Sequence, residues 1–328
     1  MLNIERSTFV ASAFYALQLW SQPGLAADTA FSAKPMTIVV QYPAGGVADV
    51  IARDFGQAIT AKTGQPVIVV NKPGAGGAIA ATTTAQSAAD GYTILFPGIA
   101  IGTQSVTDPD LAEKFMQTLT PVAEIVRGAL MCATTPQVPA KTVAELVEFA
   151  KKAPKPIFYG TSGIGGTPHF AIEFLKGITG MPAVHVPFPG APAVVTAALQ
   201  GEVQFLCEAP VLIKQFVDQK KLVTLAATGT FRDPLFPDVP TMKEAGYPSF
   251  DFGVALGFFA PIKTPAPVLG KLNELLVSVA TDPEAMKRIT AMGYVSTGTT
   301  RQNFVSYVNN DIEKFKKIAS DQNLKFEK

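Results

Sequence analysis

The sequence predicts an α/β protein of two lobes, each built on a mostly parallel sheet, with a cleft between the lobes. Short apolar runs typical of buried strands alternate with helical patterns in residues 36–96, and the same alternation returns in residues 142–227. The chain has 328 residues, which is the length of about two domains. Hydrophobic residues make up 48% of it, so the composition excludes a disordered chain and supplies enough apolar surface for a large core.

The first unit alternates three predicted strands with two predicted helices. A continuous apolar run at Met36–Val40 predicts a buried strand. Four apolar residues on one face predict the next helix: Val50, Ile51, Phe55 and Ile59. A strand at 67–70, a small-residue helix from 76 to about 89 and a strand at 92–96 complete the unit. This order predicts parallel strands joined by right-handed crossovers.

The second unit repeats the alternation. Thr142, followed three residues later by Glu145, has the pattern of a capping box, which predicts that a helix begins there. The other predicted elements are strands at 157–159, 183–186, 203–207 and 222–227, and helices at 142–152, 170–177, 193–199, 267–281, after residue 282, and at 300–318. Predicted strands at 130–134 and 222–227 are candidate hinges. They would divide the chain into lobe one, residues 28–127 plus 228–328, and lobe two, residues 128–227.

Residues 1–27 predict a signal peptide for export. Arg6 precedes a mostly apolar run at 9–20, and Ala26 and Ala27 offer a cleavage site between small residues. Glu5 offsets the charge of Arg6, which leaves a helical or disordered leader as the alternative. The apolar run is shorter than the about 20 residues that a membrane-spanning helix needs. Since no later segment is apolar for that length, we expect a soluble mature protein.

Charge and cysteine content exclude several classes of function. Lysine and arginine number 27 against 26 aspartate and glutamate residues, so the net charge of +1 provides no basic surface for nucleic acid or an anionic membrane. The two cysteines and two histidines indicate neither a Cys/His zinc cluster nor a disulfide-dense scaffold. We expect Cys132 and Cys207 to be buried thiols, with one disulfide as the alternative in an oxidising compartment.

Two glycine-rich junctions between a strand and a helix form the candidate ligand site. The first runs from Tyr42 to Asp49 and the second from 159 to 167. Glycines let main-chain N–H groups approach a ligand closely, and the N-terminus of the following helix favours an anion such as a carboxylate. One loop in each lobe would meet the other across the cleft, at the carboxyl ends of the strands. Ordinary tight turns between strands and helices are the alternative interpretation.

The sequence lacks the standard nucleotide-binding motifs. The run from Gly74 to Gly77 begins like a G-x-G-x-x-G fingerprint, but Ile79 stands where the last glycine is needed. Ser162 stands in a near match to a nucleophile elbow, and with Glu173 and His185 it gives a serine hydrolase as an alternative function.

Some candidate site residues also suit a structural role. His169 stands at a predicted helix start and suits capping or packing, while Asp49 suits capping of the helix that follows the first loop. Tyr42 is either part of the core or a ring against the ligand. Glu208 follows an apolar strand, so it is either solvated or in contact with a donor group of the ligand.

Several short motifs together resemble one protein family. They are Pro43-Ala44-Gly45-Gly46 with Asp49 and Arg53, Asn71-Lys72-Pro73-Gly74-Ala75-Gly76-Gly77, Asp90-Gly91-Tyr92-Thr93, Tyr159-Gly160-Thr161-Ser162-Gly163 with His169 and Glu173, His185-Val186-Pro187, and Pro237-Asp238-Val239-Pro240-Thr241. From about residue 34 to the C-terminus, the chain resembles the periplasmic substrate-binding proteins of tripartite tricarboxylate transporters, the Bug family.

The resemblance implies a periplasmic-binding-protein-like fold of type II, whose lobes close on a small organic carboxylate. It implies a periplasmic protein that delivers its ligand to membrane transporter subunits, or in some members to a sensor kinase, without catalysis. We expect no cofactor, no metal, no nucleic-acid partner and a monomer. The implied ligand-binding residues are Tyr42, Ala44, Gly45, Gly46, Asp49, Pro97, Gly98, Ile99, Thr161, Ser162, Gly165, Gly166, Thr167, His169, Phe188 and Glu208.

The chain departs from the family pattern at positions that the resemblance places at the rim of the pocket. Phe188-Pro189-Gly190 stands where the family usually has Tyr-Lys-Gly, which removes a hydroxyl and a cation. Glu208 replaces the usual Asp after the middle strand, and Gly166 stands where Ser is common. Phe188 and Tyr42 would suit an apolar or aromatic carboxylate.

Overall fold

A computed structural model provides the fold, and the structure describes residues 34–97 and 101–324. The predicted signal peptide at 1–27 lies outside the described residues. The strands are β1 (Met36–Val40), β2 (Val67–Asn71), β3 (Thr93–Phe96), β4 (Leu119–Ala129), β5 (Met131–Thr134), β6 (Ile157–Thr161), β7 (Ala183–Pro187), β8 (Phe205–Glu208), β9 (Val223–Ala227), β10 (Gly253–Pro261) and β11 (Val295–Ser296).

Helices connect the strands and cover both faces of the sheets. They are α1 (Val47–Thr63), α2 (Ala78–Ala85), α3 (Ile101–Thr107), α4 (Pro109–Thr118), α5 (Val143–Lys152), α6 (Thr167–Thr179), α7 (Ala191–Gln200), α8 (Pro210–Asp218), α9 (Ala266–Ala280), α10 (Pro283–Ala291) and α11 (Arg301–Asp321). The predicted capping box at the start of α5 is confirmed, because the Thr142 hydroxyl accepts from the Glu145 N–H and the Glu145 carboxylate accepts from the Thr142 N–H.

The strands form two sheets. One sheet has the order β11-β4-β10-β3-β1-β2, and the other has the order β7-β6-β8-β5-β9. The prediction of mostly parallel sheets is corrected here, because each sheet is mixed. β2, β1 and β3 are parallel, as are β7, β6 and β8, but β4 pairs with β10 and β5 pairs with β9 in antiparallel fashion. The chain leaves the first sheet through β4 and returns through β10, so the outgoing and returning strands run side by side in opposite directions.

The chain crosses from one sheet to the other twice, and the buried side chain of Thr228 links the two crossing segments by hydrogen bonds. The Thr228 hydroxyl accepts from the Leu130 N–H at 2.9 Å and donates to the Phe252 carbonyl oxygen at 2.9 Å. Leu130 lies between β4 and β5, and Phe252 lies directly before β10. A single side chain therefore ties the outgoing segment to the returning one. The predicted lobe boundaries, near 127 and 227, stay predictions.

The inner strands β1 and β5 are buried on both faces, as their continuous apolar runs predict. In β1, Ile38 and Val40 pack with α1 and α9 on one face, and Val39 packs with α2 on the other. In β5, Cys132 faces one core of the second sheet, while Met131 and Ala133 face the other. Each sheet is therefore a rigid layer that carries the loops at its ends.

Helix α1 buries three of the four residues predicted on its core face, Ile51, Phe55 and Ile59, but not Val50. Val50 is exposed, whereas Ala48 and Ala52 are buried beside Phe55. The prediction overlooked alanines, whose small side chains let the helix lie close to the sheet. Helix α2 is shorter than predicted, because it ends at Ala85 and not at about residue 89. Strands β4 and β10 were not predicted at all.

Candidate functional site

A cavity of about 500 Å³ lies between elements of the two sheets. Tyr42 and Pro43, from the loop after β1, line it on one side, and Gly166 and Thr167, at the start of α6, line it on the other. Gly74, Gly76 and Gly77 after β2, and Gln104 of α3, complete much of the wall. The loops after β1, β2 and β6 follow the carboxyl ends of parallel strands, which is where α/β proteins commonly hold ligands.

The first glycine loop is held in place by Asp49. The Asp49 carboxylate accepts from the Gly45 N–H at 2.9 Å, from Arg53 Nε at 3.0 Å and from Asn71 Nδ2 at 2.9 Å. The hydrogen bond from Arg53 is the largest of the causes that lower the pKa of Asp49 to about 2. Gly45 adopts a φ of +87°, a conformation that a β-carbon would strain. Asp49 therefore shapes the loop.

Helices α1 and α6 begin in the same way, each with a glycine of the preceding loop as its N-cap. Gly46 caps α1 with φ −77° and ψ 166°, and Gly166 caps α6 with φ −79° and ψ 167°. Neither helix has a side-chain cap at its N-terminus. The first N–H groups of a helix have no partner within the helix, and the helix dipole adds partial positive charge there. Both helix starts are therefore suited to an anion.

Two stacked histidines support the second loop from behind. The Gly165 N–H donates to His169 Nδ1 at 3.0 Å, and the rings of His169 and His185 stack with centroids 3.9 Å apart. His185 Nε2 lies 2.6 Å from the Thr161 hydroxyl. Burial lowers the pKa of both histidines, that of His185 to about 4. Both rings are therefore neutral at pH 7, which leaves His169 Nδ1 able to accept the bond from Gly165.

The residues of the alternative hydrolase triad have other partners. Ser162 hydrogen bonds to Glu208, and Glu173 accepts from Tyr159 Oη and from Lys176 Nζ. His185 is paired with Thr161. The three side chains therefore do not form the serine–histidine–carboxylate chain of hydrogen bonds that this chemistry needs.

The comparison with protein families decides what kind of molecule has this cavity. A sequence model of the tripartite tricarboxylate transporter family receptor, TctC, matches residues 51–324. The chain belongs to this receptor family. The resemblance inferred from the motifs is thus confirmed. The receptor is also similar to BugT of Bordetella pertussis, with 27% identity over 328 residues and a match that covers 99% of each chain.

Solved structures of similar proteins share the receptor's fold. A protein of R. palustris, solved with adipate, is 26% identical with a TM-score of 0.74, and the match covers 89% of the receptor and 98% of that chain. MatC from Rhodopseudomonas palustris, solved with bound malate, is 28% identical with a TM-score of 0.68, and the match covers 88% and 99%. The predicted fold class, a two-lobed α/β binding protein, is confirmed.

The receptor brings some predicted site residues to the cavity and leaves others behind it. Tyr42, Gly166 and Thr167 line the cavity itself. Tyr42, Ala44 and Gly46 line a second cavity, of about 440 Å³. Seven of the others form hydrogen bonds that hold the loops in place: Gly45, Asp49, Thr161, Ser162, Gly165, His169 and Glu208. Pro97 lines a separate small cavity beside Asp311. Gly98 and Ile99 lie outside the described residues.

Phe188 packs against the core of the receptor's second sheet. It lies beside Val186 against the cluster around Val194, and a β-carbon on Gly160 would come within 3.2 Å of its ring. The Phe188 ring therefore contributes apolar packing below the second loop. The expectation that Phe188 contacts an aromatic ligand stays a prediction.

Sequence reasoning missed several residues that line the cavity. Gln41 and Gln104 line it, and in the described part of the chain the Oε1 atom of each is buried without a hydrogen-bond partner. Gly74, Gly76 and Gly77 line it as well. The glycine run was interpreted as an incomplete nucleotide motif and as part of the family resemblance, not as cavity wall, yet it follows β2, which pairs in parallel with β1. That pairing places the two loops at the same edge of the sheet, and the order of the predicted strands contained this signal.

Residues 34–97 and 101–324 contain neither a metal-binding cluster of side chains nor a membrane-spanning helix. No group of three or more His, Cys, Asp or Glu side chains is arranged there to hold a metal ion. No helix of the same residues is both long and apolar enough to cross a bilayer.

Glu208 at the end of β8 gives the receptor a predicted pH dependence. Burial raises the pKa of its carboxyl group to about 7, although hydrogen bonds from Ser162 and the Ala209 N–H oppose the shift. The folded protein keeps this proton up to about pH 7, whereas the unfolded chain releases it near pH 4.5. The free energy of unfolding therefore falls as pH rises through this window.

We expect Glu208→Gln to remove this loss of stability. The unfolding free energy of the variant minus that of the wild type should therefore be larger at about pH 8 than at about pH 4, by on the order of 3 kcal/mol. Denaturant unfolding at both pH values measures the difference. Glu202→Gln, at an exposed position, is the control and should show no such gain. Equal pH profiles for Glu208→Gln and the wild type would contradict the prediction.

Proposed function

We propose that this receptor captures a small organic carboxylate in the periplasm and delivers it to the membrane subunits of a tripartite tricarboxylate transporter. The observation that carries the proposal is the cavity of about 500 Å³, which the loop before α1 and the first residues of α6 both line. The glycine-capped N-terminus of α6 lines this cavity, and that of α1 lies in the wall of the adjoining second cavity. Both offer main-chain donors and positive partial charge. Such donors form charge-assisted hydrogen bonds with a carboxylate.

The two lobes would close on the ligand by a hinge motion. Lobe one comprises residues 28–127 plus 228–328, and lobe two comprises residues 128–227. Two segments of the chain connect the lobes: one passes through Leu130, and the other ends at Phe252. Two-segment connections of this kind allow closure around a ligand without disrupting either sheet. The predicted ligand-binding residues behind the cavity would then act by holding the loops in position.

The ligands of similar proteins favour a carboxylate. The R. palustris protein holds adipate and MatC holds malate, and both molecules are dicarboxylates. The family match supports the role of a transporter receptor, and the disulfide between Cys132 and Cys207 is typical of an oxidising compartment such as the periplasm. We further propose a monomer that works without a cofactor.

A charge placed at the cap of α6 tests the proposal. Gly166 has the backbone angles of an N-cap, and a β-carbon there would meet only Pro168, at 3.6 Å. Gly166→Asp should cap the helix and put a negative charge at the cavity wall, while Gly166→Asn caps it without charge. We expect the Asp variant to bind adipate or malate at least about 30-fold more weakly than the Asn variant, from roughly 2 kcal/mol of repulsion.

Isothermal titration calorimetry against a panel of mono- and dicarboxylates measures both variants and the wild type. Thermal unfolding should show that both variants are folded, since Asp and Asn are both favoured at an N-cap. Equal affinity in the two variants would mean that charge does not govern binding. If the folded wild type binds no carboxylate of the panel, the proposed function is wrong.

A further inference from the structure

The second cavity of the receptor adjoins the first and differs from it in chemistry. Its volume is about 440 Å³, and it shares Tyr42 and Pro43 with the cavity between the sheets. Both cavities therefore border this segment of the loop after β1. The first cavity is lined by glutamine, threonine and glycine residues, whereas the walls of the second are mainly apolar.

Two aromatic rings and several aliphatic side chains form these walls. Tyr42 and Tyr294 line the second cavity together with Val47, Val254 and Leu256. Val47 is the first residue of α1, and its side chain is 41% exposed. An apolar group of a ligand that covers this surface would remove it from water, which favours binding. An aromatic group would in addition pack against the two tyrosine rings.

We propose that the second cavity is a subsite for the hydrocarbon part of the ligand, so that the receptor selects carboxylates with an aromatic substituent. This inference rests on the proposed function. The carboxylate would lie at the glycine-capped helix start in the first cavity, and the ring would pass Tyr42 into the second. The Tyr42–Pro43 segment, which lines both cavities, is what favours one ligand over two separate ones.

Matched pairs of ligands test the subsite. Succinate and phenylsuccinate differ by one phenyl group, as do butyrate and 4-phenylbutyrate. We expect the phenyl compound of a pair to bind the wild type at least about tenfold more tightly than its parent, because burial of a ring removes apolar surface from water. Isothermal titration calorimetry provides the four affinities.

A pair of variants on one helix locates the ring. Val47→Trp fills the second cavity and should reduce the preference for the phenyl compound to about one. Val50→Trp is the matched control, because Val50 lies on the same helix, is 46% exposed and lines neither cavity. The control should keep the preference of the wild type.

The outcomes separate this inference from the proposed function. If adipate or malate binds but neither phenyl compound gains affinity, the subsite is wrong and the function stands. A preference that survives in Val47→Trp would also overturn the subsite, since the ring would then lie elsewhere. If no carboxylate binds the folded wild type, the proposed function itself has failed.

Discussion

Reduction of the Cys132–Cys207 disulfide is expected to lower the free energy of unfolding by about 4.5 kcal/mol. The two cysteines oppose each other on the neighbouring antiparallel strands β5 and β8, with their Cα atoms 4.0 Å apart. They are separated by 75 residues, so the bond closes a long loop in the unfolded chain and removes much of its conformational entropy. Guanidinium unfolding with and without dithiothreitol measures the difference.

The double variant Cys132→Ala with Cys207→Ala is the control for the disulfide. It should be insensitive to dithiothreitol and should unfold at a denaturant concentration close to that of the reduced wild type. Thiol titration of the purified, denatured wild type should find no free cysteine. Two free thiols, or an unfolding free energy unchanged by reductant, would contradict the prediction.

Gly257→Ala is expected to destabilise the protein by about 4 kcal/mol, beyond the usual cost of overpacking. Gly257 lies in β10, where the register with β4 shifts. A β-carbon at this position would collide with the carbonyl oxygen of Ala123, and it would come within 2.6 Å of the Phe304 ring. The oxygen belongs to the main chain of β4, so a side-chain rearrangement cannot relieve the collision.

Two further variants make the Gly257 prediction specific. Gly270→Ala lies in α9 with no atom near the added carbon, and it should stabilise the protein by up to about 1 kcal/mol. Phe304→Leu added to Gly257→Ala should not restore stability, because the main chain of β4 stays in place. Urea unfolding measures all three proteins. Similar stability of Gly257→Ala and the wild type would show that the two strands separate easily.

The disulfide corrects an expectation drawn from the sequence. Buried thiols were favoured at Cys132 and Cys207, because the spacing of two cysteines does not reveal which strands are neighbours. The bond depends on the pairing of β5 with β8, and that pairing joins segments about 75 residues apart. No local pattern in the sequence encodes this pairing.

Features that depend on adjacent residues were predictable. The strand Met36–Val40 and the capping box at Thr142 follow from local patterns, and both are confirmed. The glycine loops were located for the same reason, since a glycine between a strand and a helix is needed for the turn itself. Together with short motifs elsewhere in the chain, the motifs within these loops were also enough to identify the family.

The sequence by itself determined the alternation of strands and helices, the two glycine loops and the membership of the receptor family. Only the tertiary structure decided which residues share a cavity: Gln104 and Gly76 join Tyr42 and Thr167 there, while Glu208 lies buried behind a loop. The physical reason is that turns and caps depend on a few consecutive residues. Cavities and disulfides depend on the order and register of strands, which long-range packing sets.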